Sequence, residues 1–192
     1  MYGKYRTAER GWYRPHLERS LDWILGASKK TDHILDAGGG ASALASDLVA
    51  HGYTRITVVD LAQTALDEAA QETRSDAVDW IQGDLRLESL MLPVVDVWHD
   101  RAVFHFMTTD EERAHYLATM RRSLKRGGLL IVGTFNPDAP PKCSALPVER
   151  YTTEELAKVF GPDFTLLEAT TEGHTTPGGT DQPYSYIMMR RQ

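Results

Sequence analysis

The sequence predicts an α/β fold in which a largely parallel sheet has helices on both faces. Strand-like and helix-like segments alternate over most of the chain, which is the pattern of parallel strands joined by crossover helices. A glycine-rich turn, residues 38–40, directly follows the first strand-like run. The last two strand-like segments flank a connection rich in glycine, proline and threonine, which predicts an antiparallel hairpin at the end of the sheet.

The first part of the chain contains the clearest alternation. Residues 15–25 are predicted to form a helix, because Leu17 and Leu21 begin one apolar face, and Gly26 is a plausible end. The segments that follow are short apolar runs, read as strands, and alanine- or leucine-rich runs, read as helices. They are strand 33–37, helix 42–51, strand 55–59, helix 62–73 and strand 78–81.

The second part continues the pattern and then departs from it. Thr109 and Glu112 form a capping-box pattern that opens a helix through about residue 124. Residues 136–152 contain several prolines and no period, which predicts a long loop on the substrate side. The remaining predicted elements are strand 94–98, turn 125–128, strand 129–132, helix 152–161, strand 164–169 and strand 184–190.

Composition limits the class of protein. The 192 residues suit one domain, 1–192, and a net charge of −6 argues against a broad nucleic-acid-binding face. The single Cys143 cannot form an internal disulfide, and neither a signal peptide nor a long apolar run is present. We therefore expect a cytoplasmic monomer or homodimer that does not bind membranes. Residues 1–28, aromatic and basic at first, are expected to form a lid and a helix.

Three acids follow three successive strands and define the expected binding site. Asp36 lies two residues before Gly38, Asp60 closes the second strand and Asp84 follows the third. The carboxyl ends of parallel strands share one edge of the sheet, where open α/β folds bind ligands. Asp60 has the spacing from the glycines at which a carboxylate binds ribose hydroxyls. An acidic edge disfavours phosphates and suits a ligand with an ammonium, a ribose and an adenine amine, such as S-adenosylmethionine.

At this level the chain resembles the class I S-adenosylmethionine-dependent methyltransferases, small single-domain members included. The matching segments share the family's order and spacing from about His33 to Val132. They are 35–42, 58–60, 82–85, 96–100 and 124–130. Ser42 stands where a third glycine is common. The resemblance implies a Rossmann-like, seven-stranded mixed sheet whose last strand is antiparallel. It also implies S-adenosyl-L-methionine as methyl donor and S-adenosyl-L-homocysteine as product.

The resemblance also implies roles for individual residues. Asp36, Gly38 and Gly40 would hold the methionine end of the cofactor. Asp60 would accept hydrogen bonds from the ribose hydroxyls. The adenine would be contacted by three residues and the methionine side by one histidine; these are Leu61, Asp84, Leu85 and His99.

The acceptor side is less clearly defined by the sequence. His99 and His105 follow the fourth strand and are candidate bases, because histidine titrates near neutral pH. Tyr151 is a further catalytic candidate, as a hydroxyl donor or as an aromatic wall. Four residues are candidate contacts to the methyl acceptor: Tyr13, Arg101, Cys143 and His174. We expect no metal, although His99, His105, Cys143 and His174 could together form a soft-ligand site for a metal or metalloid.

Four functions are compatible with the sequence. We favour methyl transfer to a small-molecule oxygen, nitrogen or sulfur nucleophile, because the chain is compact, acidic and has no appended recognition domain. Methylation of a protein side chain such as lysine is the main alternative. A non-catalytic S-adenosylmethionine-binding protein is another. A nicotinamide-dependent oxidoreductase is the least favoured, because Asp36 opposes a pyrophosphate beside the glycine turn.

Overall fold

A seven-stranded sheet forms the centre of the computed structural model, which describes residues 14–176 and 178–192. Its central strands are largely buried, as expected for parallel strands that are covered by helices on both faces. In chain order its strands are β1 (Ile34–Ala37), β2 (Ile56–Asp60), β3 (Val78–Gln82), β4 (Val95–Arg101), β5 (Leu124–Phe135), β8 (Phe164–Glu172) and β9 (Tyr184–Arg191). Between β5 and β8 the chain forms a separate two-stranded hairpin of β6 (Lys142–Cys143) and β7 (Leu146–Pro147).

Five helices cover the sheet. Two of them begin with a complete capping box, in which a threonine accepts from a backbone amide and a glutamate accepts from the threonine amide. The helices are α1 (Glu18–Ala27), α2 (Leu44–Ala50), α3 (Gln63–Thr73), α4 (Asp110–Ser123) and α5 (Thr153–Phe160), and a short 3-10 turn spans Phe104–Phe106. None of the helices in the described ranges is long and apolar enough to cross a membrane.

The strand order is β3-β2-β1-β4-β5-β9-β8. Strands β1 to β5 are parallel, and β9 is antiparallel to both β5 and β8. This confirms the predicted Rossmann-like mixed sheet and its terminal antiparallel hairpin. The predicted turn at 125–128 is different in the structure: these residues form a bulge within β5, because Val95 pairs with Leu124 while Val97 pairs with Leu129.

Two apolar cores lie on opposite faces of the sheet. One packs α1, α2 and α3 against the strands, and the other packs α4 and α5. Strand β4 contributes to both, because successive side chains of a strand point to opposite faces. Val97 belongs to the first core and Trp98 to the second. The next three residues continue this alternation, and that brings different partners to His99, Asp100 and Arg101.

Asp100 forms a buried polar network in the second core. Its carboxylate accepts a 2.6 Å hydrogen bond from the Tyr116 hydroxyl, which in turn accepts from the indole of Trp98 at 2.9 Å. The same carboxylate accepts from the backbone amides of Val103 and Phe104, and so fixes the turn after β4. Burial raises the pKa of Asp100 to about 6, although the hydrogen bonds from Tyr116 and the two amides act in the opposite direction.

This network predicts a pH-dependent stability. The pKa of Asp100 is about 6 in the folded chain, against an ordinary value of about 3.8 for an aspartate side chain. Between these two pH values the native state therefore binds more protons than the unfolded state. The contribution of Asp100 to the free energy of unfolding is fully present below pH 4 and is lost as the pH rises through 6. Relative to Asp100→Asn, the free energy of unfolding of the wild type should fall by about 1 kcal/mol between pH 5 and pH 8.

Urea denaturation of both proteins at the two pH values measures this difference. Asp76→Asn is the control, because the Asp76 side chain is exposed. Equal pH slopes for the wild type and Asp100→Asn would show that Asp100 titrates alike in the folded and unfolded chain.

Candidate active site

A cleft of about 650 Å³ opens at the carboxyl ends of the parallel strands. Strand-end residues from β1, β2 and β4, together with the loop after β3, line it. The predicted site residues that the structure brings together here are Asp36, Gly38, Asp60, Leu61, Asp84, Leu85, His99, Arg101 and Cys143. Most of the residues predicted to contact the cofactor therefore line one cavity at this edge of the sheet.

The glycine turn is shaped by close packing. Gly38 has φ +70°, and its amide donates a 2.6 Å hydrogen bond to the carbonyl of Val59. A Cβ at this position would clash with the side chain of Val103 from the loop after β4. Only glycine combines the positive φ with the close approach of Val103. The backbone of the turn therefore forms part of the cleft surface. Gly40 also has a positive φ, of +40°, but does not line the cleft.

Asp36 is held by a buried chain of polar groups. The His99 ring donates through Nδ1 to Asp36 Oδ1 at 2.7 Å, and its Nε2 lies 2.8 Å from the hydroxyl of Ser20. All three side chains are buried. The contact is possible because Asp36 and His99 are register neighbours on β1 and β4, and α1 covers that face. His99 and Ser20 thus hold the Asp36 carboxylate from the core side, while the carboxylate itself lines the cleft.

Asp60 ends β2 and is nearly buried at the cleft wall. Its Oδ1 accepts a 2.8 Å hydrogen bond from the amide of Ala62. Burial, and then the negative charge of Asp36, raise the pKa of the Asp60 carboxyl. The next residue, Leu61, leaves 59% of its surface exposed at the rim. A buried carboxylate therefore lies next to an exposed apolar side chain at the rim of the cleft.

Asp84 is held by an arginine that the sequence analysis did not single out. The guanidinium of Arg86 donates to both carboxylate oxygens, at 2.9 and 2.7 Å, and lies 3.8 Å from Glu112 of α4. The Arg86 hydrogen bond lowers the pKa of Asp84. Leu85, between them, is buried. Any ligand group that binds Asp84 shares its oxygens with Arg86.

Several other predicted residues lie away from the cleft lining. The His105 ring is fully buried beside Phe135, and burial, followed by the charge of Arg101, lowers its pKa to about 3. Tyr151 packs on Phe104 in the second core. His174 is buried and accepts from Arg14 at 3.2 Å. These positions do not support the expected catalytic roles of His105 and Tyr151, and Tyr13 lies outside the described residues.

Cys143 lines the cleft, and burial raises the pKa of its thiol. Across residues 14–176 and 178–192, no group of three or more histidine, cysteine or acidic side chains is placed to hold a metal ion. The alternative of a shared histidine and cysteine site therefore has no geometric support within those ranges.

Ser20 and Arg86 were not among the predicted site residues, although the sequence carries a signal for each. Ser20 is a polar residue on the apolar face of a helix, between Leu17 and Ile24, and such positions commonly have a buried partner. Arg86 follows Asp84 by two residues, within reach of its carboxylate. Neither pattern specifies the partner, because the His99 contact with Ser20 depends on how α1 packs on the sheet.

Known proteins resemble this chain in both sequence and fold. Residues 34–128 match the family model described as a methyltransferase domain. EEF1A lysine methyltransferase 2 from Danio rerio is 23% identical over 162 residues, which cover 79% of this chain and 63% of that protein. The match thus spans less than two thirds of that relative's length.

Solved structures share the fold at low sequence identity. An S-adenosylmethionine-dependent methyltransferase from Methanosarcina mazei superposes with a TM-score of 0.72 at 17% identity, over 88% of this chain and 96% of that one. The 1,6-didemethyltoxoflavin-N1-methyltransferase of Burkholderia thailandensis, solved with 1,6-didemethyltoxoflavin and S-adenosylhomocysteine, gives 0.70 at 22% identity over 91% and 76%.

The family match covers the glycine turn and the strand-end acids, and the sheet order and the cleft agree with it. The chain contains a methyltransferase domain over residues 34–128, and it shares its fold with solved S-adenosylmethionine-dependent methyltransferases.

Proposed function

We propose that this protein transfers the methyl group of S-adenosylmethionine to a small-molecule nucleophile in the described cleft. The observation that carries the proposal is the arrangement of three strand-end acids, Asp36, Asp60 and Asp84, around one cavity. The β6–β7 hairpin also lines that cavity, through Cys143 and Leu146. A cavity of this size suits a small acceptor.

The residues present fit the cofactor by their chemistry. Asp36 would accept from the ammonium of the methionine part, and Asp60 would accept from the ribose hydroxyls. Leu61 and Leu85 would cover the adenine, and Asp84 would accept from its amine. When bound, the cofactor supplies a methyl group that is already activated on a sulfonium. The protein then needs to align the acceptor and exclude water.

Neither candidate histidine offers a free ring nitrogen to the cleft. Both ring nitrogens of His99 are engaged by Asp36 and Ser20. His105 is buried, with a pKa lowered to about 3 by burial and by Arg101, and does not line the cavity. We therefore assign His99 as a positioning residue for Asp36. The acceptor is one that is already deprotonated at neutral pH, or that gives its proton to solvent or to a carboxylate of the cleft lining.

Protein lysine methylation is a second candidate, which the relative from Danio rerio favours. The Burkholderia thailandensis neighbour, solved with a small heterocycle in place, favours the first. The cavity that the β6–β7 hairpin lines supports the small acceptor. A non-catalytic cofactor-binding protein would bind the cofactor and show no turnover with either class.

A screen with methyl-labelled S-adenosylmethionine tests the proposed function. The acceptors are small carboxylates, thiols, amines and phenols, with unfolded and folded protein mixtures in parallel. We expect label to appear in one small-molecule class and not in protein. Label in protein alone would overturn the small-molecule proposal, and no transfer to any acceptor, despite cofactor binding, would favour a non-catalytic role.

Replacement of Asp60 by alanine should weaken binding of S-adenosylhomocysteine by about 1–3 kcal/mol, as expected for lost hydrogen bonds to a charged group. Isothermal titration calorimetry at pH 7.5 measures the change. Asp67→Ala is the matched control, because Asp67 lies on the exposed face of α3 and contacts only Gln63. An unchanged affinity for Asp60→Ala would remove the ribose assignment.

Replacement of His99 by phenylalanine keeps a buried ring but removes the donor to Asp36. We expect binding of S-adenosylhomocysteine to weaken at least roughly tenfold, since a buried carboxylate without its partner is displaced or protonated. His105→Phe is the matched control, because that ring is equally buried but contacts neither Asp36 nor the cleft. Equal affinities in the two variants, measured with thermal unfolding in parallel, would contradict the positioning role.

A further inference from the structure

The two halves of the cleft carry opposite charge. The half assigned to the cofactor is lined by four carboxylates: Asp36, Asp60, Asp84 and Glu112. Among the described lining residues of this half the cation is Arg86, which is bound to Asp84 and lies near Glu112. The other half, towards β9 and β8, is lined by Arg14 and Arg101, whose partners Glu172, Tyr184 and Tyr186 lie on those two strands. The acceptor therefore meets a different electrostatic environment from the cofactor.

Two tyrosines, Tyr184 and Tyr186, hold the Arg101 side chain in this half of the cleft. It ends β4 on the same face as His99, and its Nε donates a 2.9 Å hydrogen bond to the hydroxyl of Tyr186. Its guanidinium carbon lies 4.3 Å from the ring centre of Tyr184. Tyr186 lies across Gly133 of β5, and a Cβ there would come within 2.6 Å of the tyrosine ring.

This support is part of the core and not a surface contact. Arg101 is 8% exposed, Tyr184 is fully buried and Tyr186 is 1% exposed. A cation taken this far from water is fixed in direction by its neighbours, and its field is screened less than that of a surface arginine. It lines the cleft while its other side rests on the two tyrosines.

The local charge balance is positive. Arg14 forms a 2.7 Å ion pair with Glu172 and donates to the carbonyl of Gly173, and Arg19 lies 3.9 Å from the same glutamate. The negative charge of Glu172 also raises the pKa of Arg101. Among the described residues this corner therefore combines three guanidinium groups with one carboxylate. An anion is favoured here, and a cation is not.

The neighbouring groups add hydrogen-bonding and apolar character. The hydroxyl of Tyr184, next to Arg101 but outside the cleft lining, is buried and has no hydrogen-bond partner in the described residues. The lining of the same cleft includes several apolar side chains: Leu17, Val103, Phe106, Leu146 and Pro147. A ligand that fits has an apolar body and one negatively charged group.

We propose that the methyl acceptor is an apolar small molecule that carries a carboxylate, and that Arg101 binds this carboxylate as the specificity-determining residue. The proposal rests on the proposed function and specifies its substrate class. A planar guanidinium supported on an aromatic ring matches a carboxylate through two parallel hydrogen bonds. The same positive corner would repel a lysine ammonium, so the inference also separates the two candidate functions.

Matched pairs of ligands test the proposal in the protein loaded with S-adenosylhomocysteine. The probes are benzoate against benzamide and phenylacetate against phenylacetamide, at equal concentration, and the readouts are the thermal unfolding midpoint and calorimetric affinity. We expect the acid of at least one pair to bind roughly tenfold more tightly than its amide. Arg101→Gln should remove that preference, and Arg101→Lys should retain part of it.

Controls keep the outcomes distinct. Arg126→Gln should bind the acids like the wild type, because Arg126 contacts only the chain end, through Gln192. Calorimetry with S-adenosylhomocysteine verifies that each variant is folded and binds cofactor. If the wild type does not bind S-adenosylhomocysteine, the proposed function fails. If it binds but acids and amides are equivalent, or Arg101→Lys and Arg101→Gln keep the full preference, the carboxylate inference is overturned.

Discussion

The contact between Asp36 and His99 is the interaction on which the rest of the site depends. It joins two central strands, β1 and β4, at 2.7 Å, in a buried position. Through Ser20, which lies 2.8 Å from the other ring nitrogen of His99, it also reaches α1. A buried carboxylate is costly unless it is hydrogen-bonded, and His99 supplies such a bond from within the core, while Ser20 holds the histidine ring. The acid therefore stays at the cleft in one fixed orientation.

Three consecutive polar residues of β4 have three different sets of partners. His99 supports the cofactor-side acid, Asp100 fixes the following turn through the amides of Val103 and Phe104, and Arg101 lines the far half of the cleft. The alternation of side chains along a strand makes this possible, because adjacent residues enter separate cores. The assignment of His99 to positioning, rather than to proton transfer, is a consequence of the same geometry.

Local patterns in the sequence predicted the sheet and its acidic edge. Parallel strands must bring their ends together, so the positions of Asp36, Asp60 and Asp84 followed from strand assignment alone. The side-chain partners did not follow, because they depend on packing between distant segments. His105 lies close in sequence to His99, yet the turn after β4 buries it beside Phe135. Arg86 was not recognised, since its pairing with Asp84 depends on the loop after β3.

Gly133 has a meaning that extends beyond the sheet in which it is buried. It lies outside the cleft lining, yet its lack of a side chain gives Tyr186 the space from which that tyrosine holds Arg101. Acceptor choice in this lineage is then open to change through a position that a survey limited to the cavity would overlook. A side chain at Gly133 requires a smaller residue at position 186, so the two positions are best varied jointly when new acceptors are sought in this scaffold.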